Sequence, residues 1–326
     1  MEKLQAFQQL VERGIEKIPL DGKPTALYEP LRYVLGLGGK RVRPLLSLLA
    51  CDLFDAKPET ALDAAIGIEL FHNFSLVHDD IMDNAPLRRS KDTVHRKWNP
   101  NTAILSGDAM LIKAYEQMVK VPAFCLAPVL ELFNLTALQV CEGQQLDMDF
   151  ETIPKVSIPQ YLSMIELKTA VLLASSLRIG AMIGKAGKQE EERIYNFGKN
   201  LGIAFQLQDD ILDVYGDPGK FGKVTGGDIV SNKKTYLLLK AMEASERIPY
   251  KKEELMQWVH APQFNPSEKV EAVTAIYDHL NIRSMAEALA NKYYQEALSA
   301  LEHIQANPEK KETLRTLAQN LMNRTE

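Results

Sequence analysis

The segment ALDAAIGIELFHNFSLVHDDIMD, residues 61–83, lacks proline and shows no alternation of apolar and polar residues. Its apolar side chains recur at helical spacing, and the long segments 167–186, 196–215 and 283–304 share that pattern. Strand signals are sparse, because no valine or threonine alternation and no Asn-Gly hairpin turn occurs. The sequence therefore predicts an all-α fold in which residues 1–326 form a single-domain helical bundle.

The composition limits the classes of function. The chain has 326 residues and a net charge of −5, which argues against nucleic-acid binding, since that needs a basic surface. Its three cysteines, Cys51, Cys125 and Cys141, have no CxxC spacing, so we expect reduced thiols. The N-terminus mixes charged with apolar residues, and no apolar run approaches the roughly 20 residues of a membrane span. We expect a cytoplasmic, soluble protein without a membrane span.

Several helix boundaries are marked by local chemistry. Ser157 and Gln160 have the spacing of a capping box, and Asn265-Pro266 resembles a second helix start. The stretch GDPGKFGKVTGGD, residues 216–228, is rich in glycine and lysine. It predicts a long loop at the mouth of the bundle.

The first long segment ends in a cluster of carboxylates. Asp79 and Asp83 are four residues apart and project from one helix face, which His72 extends by two turns. Asp80 lies between them, and Pro86 ends the helix. A single acidic pattern of this kind is equally typical of a solvated helix end.

A second cluster weakens that alternative. FQLQDDILD, residues 205–213, places Asp209, Asp210 and Asp213 on another helix, with Gln206 one turn earlier. Two such helices facing each other would gather six carboxylates. Magnesium suits them, because it takes hard oxygen ligands and bridges carboxylates to phosphates, whereas no matching His or Cys set indicates zinc. The two clusters predict magnesium ions that hold a diphosphate.

Cations accompany the carboxylates. In LGGKRVRPLL, residues 37–46, Lys40, Arg41 and Arg43 follow two glycines and precede a helix start, where anions bind favourably. Arg88 and Arg89 can donate paired hydrogen bonds to phosphate oxygens. Alone, the first motif is also typical of a surface turn. Together with the aspartates, it predicts a second diphosphate site formed by protein cations.

The ordered motifs GGKRVRP, ELFHNFSLVHDDIMDNAPLRR, GQQLD, LKT, FQLQDDILD, FGKVTGGDI and NKKT resemble those of the trans-polyprenyl (isoprenyl) diphosphate synthases. They extend over residues 38–236, and the helical remainder fits the same fold. The resemblance implies the all-helical isoprenoid synthase fold around a deep central cavity, and a homodimer. It also implies a prenyltransferase that condenses isopentenyl diphosphate head to tail with allylic diphosphates.

The resemblance also implies roles for individual residues. The magnesium ions, three in this family, would be bound by Asp79, Asp83 and Asp209, supported through water by Asp80, Asp210 and Asp213. The isopentenyl diphosphate site would comprise Lys40, Arg43, His72 and Arg89, with Arg41 in the same motif. The allylic diphosphate would contact Arg88, Lys168, Lys223 and Lys233. The reaction centre or the metal-bound waters would adjoin Gln144, Thr169 and Gln206.

The chain departs from the family pattern after the first aspartate motif. The family usually has RRGxPT, whereas this chain has RRSKDTVH, with Ser90 in place of glycine and Asp92 in place of proline. Thr93 and His95 still match. The departure predicts that the loop around Arg89 is set differently from that of the family.

The implied chemistry is electrostatic and needs no protein nucleophile. Magnesium, Arg88 and the lysines would draw charge from the leaving diphosphate, and isopentenyl diphosphate would attack the allylic cation. The departing diphosphate would remove the final proton. An apolar cavity would exclude water from the cation.

The resemblance also indicates the product length. In this family an aromatic residue five positions before the first aspartate motif limits elongation; here it is Phe74, followed by the small Ser75. This combination favours a C20 geranylgeranyl product over the C15 farnesyl product. An ideal helix places Phe74 about 140° from Asp79, so the inference depends on the family and not on helix geometry. Ordinary core packing is the alternative role for Phe74.

Two alternative functions differ in their motifs. A terpene cyclase would lack the GGKRVRP motif and the second DDxxD motif. A non-catalytic regulatory subunit of a heteromeric synthase characteristically loses aspartates or basic residues, and none is missing here. The sequence therefore predicts an active short-chain synthase.

Overall fold

The computed structural model describes residues 2–216 and 226–323. The helices are α1 Glu2–Glu16, α2 Thr25–Gly36, α3 Val42–Leu53, α4 Leu62–Met82, α5 Val94–Lys97, α6 Pro100–Met118, α7 Leu126–Thr152, α8 Ile158–Ile165, α9 Val171–Ile183, α10 Lys188–Tyr215, α11 Gly227–Val230, α12 Tyr236–Ser245, α13 Pro249–His260, α14 Pro266–His279, α15 Ile282–Glu302 and α16 Pro308–Met322. A 3-10 turn spans Pro58–Ala61, and a π-helical segment, Glu166–Ala170, separates α8 from α9. The prediction of an all-α fold is confirmed.

The predicted helix starts are also confirmed. The Ser157 hydroxyl accepts from the backbone N–H of Gln160, whose side chain accepts from the Ser157 N–H in return. The Asn265 side chain accepts from the N–H of Ser267 at 2.9 Å. Both devices satisfy N–H groups that a helix start leaves without partners. Most of the predicted loop 216–228 lies outside the described residues.

The chain divides into two compact units. The first unit comprises Met1–Leu138, Leu172–Asn196 and Leu301–Arg315; the second comprises Gln139–Val171, Phe197–Ala300 and Thr316–Glu326. The single-domain organisation stays a prediction. In the described part of the chain, none of the helices has the length and apolar character that crossing a bilayer requires.

In the first unit, α4 packs against α3 and α6. Every residue from Ala64 to Phe71 is buried, so this half of α4 is apolar nearly all round, as a core helix requires. Beyond Phe71 the buried positions thin out, and the helix ends at Met82. The first aspartate cluster therefore lies at the end of a helix whose other half is fixed by the core.

In the second unit, the π-helical segment is packed closely between two other helices. A Cβ atom added to Gly143 of α7 would lie 2.3 Å from the backbone nitrogen of Lys168, and one on Gly202 of α10 would lie 2.5 Å from Cα of Ala170. Only glycine allows this approach of backbones. The two glycines therefore fix the segment that carries Lys168 and Thr169.

Candidate active site

The first aspartate cluster is organised by Arg88. Asp80 is 3% exposed, and both of its oxygens accept from Nε of Arg88 at 2.9 Å. Nη2 of Arg88 lies 2.7 Å from Oδ1 of Asp80 and 3.7 Å from Oδ2 of Asp79. Asp79 is half-buried, and Asp83 is exposed at the C-cap of α4. Asp80 is thus committed to a protein cation, while the outer carboxylates are accessible.

Burial and charge act in opposite directions in this ion pair. Burial raises the pKa of Asp80, and the adjacent Arg88 guanidinium offsets only part of that effect. Burial by itself would lower the pKa of Arg88, but Asp80, Asp79 and Asp83 raise it overall. Arg88 is therefore a permanent cation at the cluster.

A two-residue hairpin carries Arg88 and Arg89. Strands β1 (Leu87–Arg88) and β2 (Lys91–Asp92) pair antiparallel, and the turn residues Arg89 and Ser90 have φ values of 52° and 60°. Positive φ at both turn positions is the type I′ pattern, which favours Asn and Gly. Ser90, in place of the family's glycine, therefore occupies a left-handed position and leaves the turn intact.

Arg89 joins the predicted isopentenyl diphosphate residues. Its guanidinium donates to the backbone carbonyl of Gly38, in the loop that carries Lys40. Nη1 of Arg43 lies 3.1 Å from Nε2 of His72. Desolvation, and then the charges of Arg43 and Arg89, hold the pKa of His72 well below its usual range. The structure thus brings these side chains together around a neutral His72, which accepts a hydrogen bond from Arg43.

Arg41 differs from its neighbours in the same motif. It is 3% exposed, and its Nη1 donates to Glu69 at 2.8 Å, its Nε to Glu12 at 3.0 Å and its Nη2 to the carbonyl of Leu35 at 2.7 Å. These contacts commit the guanidinium to the protein interior. The predicted substrate-binding role does not fit this geometry, and Arg41 instead anchors the loop that presents Lys40.

The predicted chain-length residue, Phe74, belongs to an aromatic group in the first unit. Its ring lies 5.6 Å from that of Phe71 and 4.7 Å from that of His78. Phe71 in turn lies edge-on to Phe133 at 5.4 Å. Ser75 donates to the carbonyl of His72 at 2.8 Å. Phe74 therefore belongs to an aromatic wall near the first aspartate cluster, formed by Phe71, Phe74, His78 and Phe133.

The second aspartate cluster has a different organisation, based on neutral donors. Asp210 is 6% exposed; its Oδ2 accepts from the Tyr161 hydroxyl at 2.5 Å, and its Oδ1 accepts from the Gln206 amide at 3.0 Å. The Thr169 hydroxyl donates to Oε1 of Gln206 at 3.0 Å. Both oxygens of Asp210 are therefore occupied by protein donors, which does not fit a direct metal ligand.

The outer carboxylates of this cluster, Asp209 and Asp213, are half-buried. Oδ2 of Asp213 accepts from the backbone N–H of Asp228 at 2.9 Å. Burial, and then the charge of Asp228, raises the pKa of Asp210 to about 7, while the bonds from Tyr161 and Gln206 oppose that rise. Neutral donors thus compensate the buried carboxylate less completely than a cation would.

Two of the predicted allylic diphosphate lysines share one carboxylate. Nζ of Lys168 lies 2.7 Å from Oδ2 of Asp147, and Nζ of Lys233 lies 3.6 Å from the same atom. Burial raises the pKa of Asp147, but the two lysines outweigh it and lower that pKa overall. Lys223 lies outside the described residues. Asp147 belongs to the GQQLD motif, so this motif could have identified it as a site residue from the sequence.

Lys234, the chain neighbour of Lys233, contacts the protein backbone and not the shared carboxylate. Its ammonium donates to the carbonyls of Phe150 and Ile153, near the end of α7. The last carbonyls of a helix lack partners within it, so a cation there is favourable.

The donor set fits magnesium. Within residues 2–216 and 226–323, no group of three or more carboxylate, imidazole or thiol ligands forms a complete metal cage. Magnesium typically needs only one or two carboxylates, because waters and substrate phosphates complete its shell. In addition, the buried Nε2 atom of Gln144 finds no hydrogen-bond acceptor in the described part of the chain. A bound water or phosphate oxygen would satisfy it.

The chain is similar to known proteins. Residues 24–278 match the polyprenyl synthetase family. The geranylgeranyl diphosphate synthase of Methanosarcina mazei is 35% identical over 303 residues, covering 92% of this chain and 90% of that protein.

Solved structures of geranylgeranyl pyrophosphate synthases are also similar to this chain. A crystal structure of a geranylgeranyl pyrophosphate synthase is similar with a TM-score of 0.94 and 43% identity, over 100% of both chains. The geranylgeranyl pyrophosphate synthase from Corynebacterium glutamicum, complexed with isoprenyl diphosphate and magnesium, has a TM-score of 0.87 and 27% identity, over 98% of both chains. The chain therefore belongs to the polyprenyl synthetase family and is a short-chain prenyltransferase.

Proposed function

We propose that this enzyme joins isopentenyl diphosphate head to tail to allylic diphosphates, with geranylgeranyl diphosphate as its main product. The observation that carries the proposal is the arrangement shared by the two aspartate clusters. In each, the second carboxylate is buried against protein donors, and the first and fifth positions are more accessible. Both clusters thus offer hard oxygen ligands on a rigid support.

Magnesium, when bound, would neutralise the allylic diphosphate and make it a better leaving group. Asp79, Asp83 and Asp209 would hold the ions, three if this enzyme follows its family, and Asp213 would assist. Arg88, Lys168 and Lys233 would bind the phosphate oxygens and stabilise the charge that develops on them. The complex of the Corynebacterium enzyme with magnesium supports magnesium as the metal.

Lys40, Arg43 and Arg89 would bind isopentenyl diphosphate. The neutral His72 supports this role, because it adds a hydrogen-bond partner for Arg43 without a further charge. These side chains would orient the double bond for attack on the allylic cation, and orientation supplies much of the rate. The departing diphosphate, and not a protein base, would take the proton.

Phe74 and the aromatic wall around it would stop elongation at C20. The Methanosarcina mazei relative and the solved structure at 43% identity are geranylgeranyl synthases, which supports this product over farnesyl diphosphate. Phe74→Ala removes the ring and should lengthen the main product by at least one C5 unit. Phe7→Ala, a change in α1 of the same unit, is the control and should leave the product unchanged. An unaltered product distribution in Phe74→Ala would contradict this role.

We also propose that the enzyme is a homodimer. Large apolar side chains of α6 and α7 in the first unit are exposed, namely Ile104, Leu105, Ile112, Leu135 and Leu138 at 43–60%. Apolar groups in such number commonly mark a protein interface. A second copy of the chain would cover them. Sedimentation analysis of the purified protein tests this proposal, and a monomer at micromolar concentration would refute it.

A product assay tests the proposed reaction. Purified protein with magnesium receives labelled isopentenyl diphosphate and dimethylallyl, geranyl or farnesyl diphosphate, and the products are sized after dephosphorylation. A dominant C20 product is expected, whereas a C15 product would keep the reaction and reject the proposed length. Failure of the folded protein to incorporate label with any primer would favour a regulatory subunit.

A further inference from the structure

We infer that Tyr161 is a positioning residue of the second aspartate cluster, whose hydroxyl holds Asp210 and, through it, the amide of Gln206. The inference rests on the proposed function and on the family resemblance, which implies that Gln206 adjoins the reaction centre or the metal-bound waters. Tyr161 belongs to none of the family motifs of the sequence. It lies on α8, 49 residues before the carboxylate that it contacts.

Hydrogen bonds link Thr169, Gln206, Asp210 and Tyr161 into one continuous network. The Thr169 hydroxyl donates to Oε1 of Gln206, which turns the amide nitrogen of Gln206 toward Oδ1 of Asp210. The Tyr161 hydroxyl donates to Oδ2 from the other side. Tyr161 is 1% exposed and Asp210 is 6% exposed, so solvent cannot readily replace either partner. The orientation of Gln206 therefore depends on a carboxylate that Tyr161 holds in place.

The backbone around Tyr161 fixes its position independently of the cluster. The capping box of Ser157 and Gln160 starts α8, and the Tyr161 N–H donates to the Ser157 carbonyl at 3.0 Å. The ring packs in the apolar core of the second unit. Tyr161 thus meets Asp210 as a rigid donor, as a positioning group must.

Loss of the hydroxyl has a defined cost. In Tyr161→Phe, Oδ2 of Asp210 becomes a buried acceptor without this donor, which is costly for a carboxylate. Asp210 is then expected to rotate toward other donors and to release the amide of Gln206. Since the ring and its packing remain, the loss should affect the cluster more than the fold.

The experiment compares Tyr161→Phe with Tyr215→Phe. Tyr215 also donates to a carboxylate of the second unit, Oδ1 of Asp278 at 3.0 Å, but outside the aspartate cluster. We expect kcat to fall about tenfold in Tyr161→Phe, which corresponds to one hydrogen bond. The KM for isopentenyl diphosphate should change less than twofold, and Tyr215→Phe should retain wild-type kcat.

A binding measurement supplies a readout that does not depend on turnover. Calorimetric titration with magnesium and geranyl thiolodiphosphate, an unreactive allylic analogue, should show several-fold weaker binding for Tyr161→Phe, at a melting temperature matching that of Tyr215→Phe. Wild-type binding and kcat in Tyr161→Phe would overturn the inference, as would equal losses in both variants. A wild-type enzyme without activity or binding would instead refute the proposed function.

A double-mutant cycle tests the same coupling if Tyr161→Phe folds poorly. Gln206→Leu removes the amide that Tyr161 is inferred to position through Asp210. In that background, a further Asp210→Asn change should lower kcat by much less than it does in the wild-type enzyme. Additive effects would overturn the inference.

Discussion

The two aspartate clusters have the same sequence pattern but hold their buried carboxylates by different means. In the first, the guanidinium of Arg88 binds both oxygens of Asp80. In the second, the uncharged Tyr161 and Gln206 donate to the two oxygens of Asp210. Among the described residues, a cation therefore binds the buried carboxylate of the first cluster directly, whereas neutral donors bind that of the second and Lys233 acts on it only as a nearby charge. A matching motif determines where carboxylates lie, but their partners determine how much charge the cluster presents to a ligand.

Removing an outer carboxylate should have the largest effect, and it should be similar in both clusters. Asp79→Ala and Asp209→Ala each remove a proposed magnesium ligand and should lower kcat by about 10²-fold or more. Steady-state assays at saturating magnesium measure this. Asp63→Ala on α4 and Glu192→Ala on α10 are the controls and should retain activity. Near-normal rates in Asp79→Ala or Asp209→Ala would reject the metal assignment.

The next largest effect should differ between the clusters, and it concerns the partner of each buried carboxylate. Arg88→Leu leaves Asp80 buried without its cation, so we expect a loss of about 3 kcal/mol in the free energy of unfolding, together with most of the activity. Tyr161→Phe should lose far less stability, because it removes only a neutral donor. Denaturant unfolding measures both variants.

A double variant distinguishes the buried charge from lost packing. Arg88→Leu combined with Asp80→Leu removes both charges and should recover stability but not activity. If the double variant remains as unstable as Arg88→Leu alone, the uncompensated charge of Asp80 is not the cause.

These partners explain which parts of the site could be predicted from sequence. Ser157 and Gln160 interact three residues apart, so local pattern was enough to predict their capping box. Arg41 pairs with Glu69 across 28 residues, and such a pairing depends on how α3 and α4 pack. Motif membership grouped Arg41 with Lys40 because it cannot distinguish an exposed cation from a buried one. Tertiary packing, which no local pattern encodes, made that distinction.

The pH dependence of stability should differ at the buried carboxylate of the second cluster. Burial raises the pKa of Asp210 to about 7 in the folded protein, whereas the pKa of an aspartate in an unfolded chain is near 4. Between these values the folded state binds more protons, so stability falls as pH rises. Asp210→Asn has no proton to lose. Its stability relative to wild type should therefore improve from pH 5 to pH 8, on the order of 2–4 kcal/mol.

Unfolding in metal-free buffer at both pH values measures this change. The difference in free energy of unfolding between Asp210→Asn and wild type at pH 5 reports the altered hydrogen bonds. Only the change in that difference between pH 5 and pH 8 reports the buried charge. A constant difference would mean that Asp210 is already ionised at pH 5, so that its neutral donors compensate its burial.

The smallest effect concerns the hairpin that delivers Arg88 to the first cluster. Ser90 has a φ of 60°, where an L-residue pays a steric cost that glycine avoids. Ser90→Gly should therefore raise the free energy of unfolding by about 1 kcal/mol or less and leave kcat and both KM values unchanged. Ser157→Gly, at an N-cap with a φ of −91°, lacks that strain and should not stabilise the protein. Arg88 and Arg89 keep their contacts although Ser90 adopts this turn, so we expect no change in activity. A gain in activity with Ser90→Gly would contradict this expectation and would mean that serine misplaces these arginines. In that case, the turn that supplies the cation of the first cluster would limit activity. The second cluster would not have this limit, because neutral donors hold its buried carboxylate.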